Sequence, residues 1–152
     1  MDWILFLTFL AACGAAGATG SMFEPGKWYE DLDKPFWTPP GLVFPLVWVT
    51  LYIAIAYAAM RVALIDGSQQ ALAFWAVQIA FNTLWSPVFF GLKRMRAALI
   101  VLSFLWVSVA VTMLSFLAVD QIAGLLFAPY LLWVTIAGAL NLSVLRRNPQ
   151  FA

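Results

Sequence analysis

Histidine is absent from all 152 residues. That removes Ser-His-Asp and Cys-His nucleophile systems, His-bound zinc and a proximal-His haem in one step. Cysteine occurs once, at Cys13, so neither an intramolecular disulfide nor a Cys-based metal cluster can form within one chain. No metal site is expected. Charge is scarce too: 10% of residues are charged against 64% hydrophobic, and mean hydropathy is +0.93. So little polar surface cannot cover a soluble domain. A Gly-rich phosphate loop is also missing, because Gly14, Gly17 and Gly20 lie inside an apolar run with no Lys-Ser/Thr behind them. The net charge of +1 suggests no nucleic-acid partner.

What is present is apolar sequence in span-length pieces. Runs near 3–22, 42–65, 70–91, 97–119 and 122–145 each supply roughly the 20 residues that cross a bilayer. None alternates at period 2, as barrel strands would. The expectation is an all-α integral membrane protein, one domain over 1–152 built as a bundle of five transmembrane helices, with a long loop at 23–41. Five spans put Lys27, Lys34, Lys93, Arg94, Arg96, Arg146 and Arg147 on one face. By the positive-inside rule this face, with the loop and the C-terminus, is cytoplasmic. Arg61, near the other face, is expected to snorkel to that interface.

Leu10-Ala11-Ala12-Cys13 resembles a lipoprotein processing site, but only Asp2 precedes the apolar stretch, where a signal peptide carries positive charge. An uncleaved first helix is expected. Gly14, Gly17 and Gly20 read as a small-residue packing seam, and Glu30, Asp31 and Asp33 as a solvated face.

Loop 23–41 begins with Trp28-Tyr29 and ends in Trp37-x-Pro39-Pro40, flat apolar rings and stiff backbone at the mouth of a span. It reads as a lid made by Trp28, Tyr29, Pro39 and Pro40. Counting inward at about 1.5 Å per residue, Trp48, Tyr52, Asn82, Trp85, Trp133, Ala137 and Asn141 fall about 6–18 Å below this loop. Trp133 is too deep for an interfacial belt. An amide in hydrocarbon needs a bonded partner; for Asn82, interhelical bonding and ligand contact stay equally open, and for Asn141 bonding between helices is favoured. Pro87 and Pro129 are expected to kink their spans, and Pro45 to sit in a first turn. The result is an apolar aromatic cavity open toward one face, suited to a small molecule.

Four ordered blocks carry a resemblance: Trp28-Tyr29 with Leu32-x-Lys34-Pro35-x-Trp37-x-Pro39-Pro40; Pro45-x-x-Trp48-x-x-x-Tyr52; Asn82-x-x-Trp85-x-Pro87-x-Phe89-Phe90-Gly91; and Pro129-Tyr130-Leu131-x-Trp133-x-x-x-Ala137-x-x-Leu140-Asn141. With these the chain resembles the translocator protein family, also called tryptophan-rich sensory proteins or peripheral-type benzodiazepine receptors, and is most similar to its proteobacterial members. The resemblance implies a five-helix, commonly homodimeric bundle that binds porphyrins such as protoporphyrin IX, with haem as a related ligand, and in some members sterols and benzodiazepine-site ligands. It implies a pocket formed by Trp37, Trp48, Asn82, Trp85, Trp133, Ala137 and Leu140, to which the depth argument and motif blocks add Tyr52, Phe89 and Asn141. No obligatory cofactor follows. The chain departs from the family pattern in three places: Gly41-Leu42 replaces an Arg-Trp pair, Ala97 replaces a ligand-contacting tryptophan, and Leu142 replaces the Tyr of a proposed cholesterol motif.

Three functions are weighed, the third being a scaffold or sterol-handling protein that acts by helix contacts. One is a tetrapyrrole sensor or carrier, in which aromatic faces stack on the macrocycle and Lys27 or Lys34 meets its propionates. The alternative is an enzyme that degrades porphyrin in light, with Trp48 and Trp133 as redox-active, catalytic indoles. Ala73, Ala76 and Ala80 are the expected dimer face. Ala137 is expected where the fifth span packs closely on the second, and Leu105 is expected to face lipid.

Overall fold

The computed structural model describes residues 1–151, which form helices and turns, with no strand among the described residues. The helices are α1 (Trp3–Met22), α2 (Gly26–Glu30), α3 (Val43–Ala63), α4 (Gln69–Ser86), α5 (Met95–Val119), α6 (Gln121–Leu125) and α7 (Ala128–Arg147). Five segments are long and apolar enough to cross a membrane: α1, α3, α4 with its continuation to Gly91, α5, and α6 with α7. In lipid a helix satisfies its own backbone, which is why apolar runs of this length fold this way.

The prolines mark changes of helix type. After Ser86 the chain widens into a π-helical turn, Pro87–Gly91, in which the Leu92 N–H donates to the Pro87 carbonyl at 2.9 Å. Lys93 then takes a left-handed φ of 55° to turn toward α5. The expected fifth span is two pieces: α6 stops at Leu125, and Pro129 stands in the first turn of α7, where its missing N–H costs nothing. Pro45 likewise lies in the first turn of α3.

Around the bundle, α3 packs on α1, α1 on α4, α4 on α5 and α5 on α7. The ring does not close tightly, since α3 meets α6 and has only a loose approach to α7. At the end away from the long loop, the Arg61 guanidinium holds Asp120 at 2.8 Å, tying α3 to the α5–α6 junction. Arg61 is therefore paired as well as near an interface, a partner that span counting missed. Asp120 also caps α6 by accepting the Ala123 N–H. Burial pushes its carboxyl up, but the Ala123 bond and Arg61 outweigh this and hold it below its ordinary value.

Two expectations about packing are corrected. Leu105 is 1% exposed and belongs to the main apolar cluster rather than facing lipid. Of the three α1 glycines, Gly17 lies against the Tyr52 ring and Gly20 near Ser86, but Gly14 meets nothing and faces outward. Cys13, in contrast, is fully buried.

Candidate functional site

Counting residues inward from the loop puts aromatic and amide groups from three helices in one layer, and the structure joins Tyr52 to Asn82 and Trp85 to Asn141 by hydrogen bonds. The Tyr52 hydroxyl donates to Asn82 Oδ1 at 2.7 Å, Asn82 Nδ2 donates to the Tyr130 oxygen at 2.9 Å, and the Tyr130 hydroxyl donates to Gln78 Oε1 at 2.8 Å. One chain of bonds thus ties α3, α4 and α7. Both ends of the Asn82 amide are taken by protein partners. Asn141 also works between helices, its Nδ2 donating to the Met95 carbonyl at 3.1 Å while its Oδ1 accepts the Trp85 indole N–H at 3.4 Å. Gln78 was missed by the sequence reading. Its signal was available, a second amide one turn before Asn82 in the same span.

Aromatic rings fill the same layer. Trp48 lies against Tyr52 and edge-on to Tyr130, at 5.5 and 5.9 Å between centroids; Trp133 meets Phe44 edge-on at 5.6 Å; Trp85 stacks on Phe89 at 5.1 Å. Trp133 belongs to one packed cluster, against which Phe44, Trp48, Tyr52, Trp85 and Ala137 pack. Phe89 and Leu140 belong to a second cluster, which Phe44 and Trp85 also touch. The two clusters are therefore continuous.

Where α3 and α7 stand apart, a cleft of about 340 Å³ opens sideways between Leu46, Val47, Thr50 and Leu51 on one wall and Pro129, Leu132, Trp133 and Ile136 on the other. Trp133 is 8% exposed at its edge, and its indole N–H has no partner. Ala137 is half-buried one turn beyond. Backbone approach of α7 to α3 is sparse, α3 packing on α1, α4 and α6, and the two helices meet through rings, Phe44 on Trp133 and Trp48 on Tyr130.

The loop is docked rather than suspended over a cavity. Trp28 and Tyr29 pack on Phe89, and Tyr29 also on Phe90, while Leu32 is buried among Val88, Met95 and Val144. Asn148 accepts the Asp33 N–H and donates to the Asp33 carbonyl, fastening the loop to the end of α7. Loop and C-terminus thus share one face, as the span count requires. Lys34 Nζ donates to the carbonyls of Tyr29, Glu30 and Leu32 at 2.7–3.0 Å, so it closes α2 and is not free for a ligand carboxylate. Burial pushes the Tyr29 phenol above its ordinary value, keeping it neutral. Pro40 accepts the Val43 N–H at the start of α3, and Pro39 is half-buried. Trp37 is 40% exposed on the loop, and its ring is not among those stacked on or edge-on to Trp48, Trp85 or Trp133. Ala73, Ala76 and Ala80 lie exposed together on the outer side of α4.

Known proteins share this arrangement of sequence. The chain is 57% identical to the tryptophan-rich sensory protein of Cereibacter sphaeroides over 97% of its length and 94% of that protein's. It is 51% identical to Protein CrtK of Rhodobacter capsulatus, covering 98% and 96%, and 33% identical to the translocator protein of Homo sapiens, covering 96% and 91%. The TspO/MBR family profile matches residues 6–147. With five membrane-length segments and these relatives, the chain is a multi-pass membrane protein of bacterial type and belongs to the TspO/MBR family.

Proposed function

We propose that this protein binds a tetrapyrrole such as protoporphyrin IX or haem within the bundle and acts as its sensor or carrier. The observation that carries the reading is the Trp133 indole N–H, buried without a partner at the edge of an apolar cleft, with the Phe44 ring edge-on beside it. A buried donor is costly unless something accepts from it, and a flat apolar molecule with acceptor atoms fits both the wall and the donor. A cleft of this size lies within the usual range for small-ligand sites. Lys27 is exposed on the docked loop and remains available to a propionate, as Lys34 is not. Sterols or other lipids are the second ligand class, for which the side opening toward lipid is the support.

Titration of purified protein with protoporphyrin IX should quench tryptophan fluorescence to saturation. Trp133→Leu should weaken binding by about 1–3 kcal/mol, on the scale of lost stacking and area. The partly exposed Trp37→Leu should weaken it less. Unchanged affinity in the Trp133→Leu variant refutes the site. The same titration under illumination tests light-driven breakdown: absorbance that decays in the parent and persists in Trp133→Phe makes the protein an enzyme rather than a carrier.

A further inference from the structure

Gln78 is 0% exposed, and its Nε2 has no hydrogen-bond partner. It ends the chain of bonds that starts at Tyr52, whose other two members, Asn82 and Tyr130, are buried as well. Tyr52 is half-buried and borders the Trp48 ring. An amide turned end for end occupies the same volume, so the chain has a second complete arrangement. In it Gln78 Nε2 donates to Tyr130, the Tyr130 hydroxyl donates to Asn82 Oδ1, and Asn82 Nδ2 donates to the Tyr52 oxygen. The atom left unpartnered at Gln78 becomes a carbonyl oxygen instead of an N–H, an easier group to leave unmatched. The Tyr52 hydroxyl proton is then free.

We propose that this chain is a two-direction relay and that Gln78 is a positioning residue that sets its direction. As the chain stands, Tyr52 spends its proton on Asn82 and offers only lone pairs, which suits a ligand donor. Reversed, it offers a proton, which suits a carbonyl, carboxylate or imine nitrogen. A ligand acceptor at Tyr52 and the Gln78 amide therefore favour each other's state although they do not touch. The relay stands without any ligand; only its consequence for ligand polarity rests on the proposed tetrapyrrole site.

One substitution drives the relay the other way. Gln78→Met leaves Tyr130 no acceptor except Asn82 Oδ1 and forces the reversed direction, whereas the parent amide accepts from Tyr130 and holds the original one. The test is infrared spectroscopy of protein carrying isotope-labelled tyrosine, in which the phenol C–O stretch distinguishes a donating from an accepting hydroxyl and Tyr52→Phe assigns the band. The expected result is a donating Tyr52 in the parent and an accepting one in Gln78→Met. A Tyr52 band unchanged between the parent and Gln78→Met overturns the relay. Should Gln78→Met not fold, Gln78→Leu in its place reads the same comparison. In a second readout, protoporphyrin IX affinity should differ about 2- to 10-fold between the parent and Gln78→Met, the scale of one neutral hydrogen bond, and the difference should vanish when Tyr52→Phe is added to both. An infrared shift with no porphyrin binding in any variant leaves the relay intact and sinks the tetrapyrrole site instead.

Discussion

Ala137 stands one helical turn from Trp133 and one from Asn141 on α7, half-buried beside a cleft whose far wall is α3. A threonine there can bond back to the Trp133 carbonyl and bend α7, and its added bulk enters a packed wall, which typically costs about 1–3 kcal/mol. Ala137→Thr should therefore weaken porphyrin binding with the fold retained. The matched control is Leu114→Thr, because Leu114 is 63% exposed on α5 whereas Leu105 is a core residue. Equal affinity in the two variants and the parent would remove Ala137 from the site. Which α5 leucine points outward was legible in part: Ser108 and Thr112, one turn apart and both buried, mark the inward side, and Leu105 lies one turn before Ser108 on that face.

The α5–α6 corner depends on two residues that span counting does not single out. A Cβ on Gly124 would lie 2.6 Å from the Leu117 backbone nitrogen, and backbone cannot move aside as a side chain can. Gly124→Ala should lower the unfolding temperature in detergent clearly more than Gly138→Ala, whose Cβ would meet only a Leu102 methyl at an ordinary 3.8 Å; similar shifts would show that the corner relaxes freely. At the same corner Asp120 titrates below its ordinary value in the fold. A depressed carboxyl stabilises the folded state above its unfolded pKa, and that contribution fades as pH falls through the folded value. Stability should thus drop on acidification below about pH 4, and Asp120→Asn, less stable at neutral pH, should show a smaller drop. Parallel pH curves for the two proteins would exclude Asp120 as a cause.

At the scale of the molecule, the exposed alanines of α4 offer a flat strip where two helices can approach closely in lipid. Dimerisation through this face is a proposal, and Ala76→Leu combined with Ala80→Leu tests it. These changes should give monomers in detergent, seen by light scattering, without altering porphyrin affinity, because both positions lie outside the aromatic layer. Dimers of unchanged strength would move the interface elsewhere.

The five spans, the shared face of the long loop and C-terminus, and the common depth of Trp48, Tyr52, Asn82, Trp85, Trp133 and Asn141 follow from the sequence by itself. Helix length and rise are local geometry, set by the backbone's need to satisfy itself in lipid. The four motif blocks likewise carried the family. Tertiary structure alone decided which groups meet at that depth: that Asn82 is consumed between Tyr52 and Tyr130, that Gln78 ends the chain with a free N–H, that Arg61 finds Asp120, and that the bundle opens between α3 and α7. The physical reason is common to all four. Depth is a one-dimensional quantity that counting recovers, but rotation about each helix axis is set by packing. In a chain apolar on every face, lipid and protein interior are nearly the same solvent, so hydrophobicity does not record that rotation.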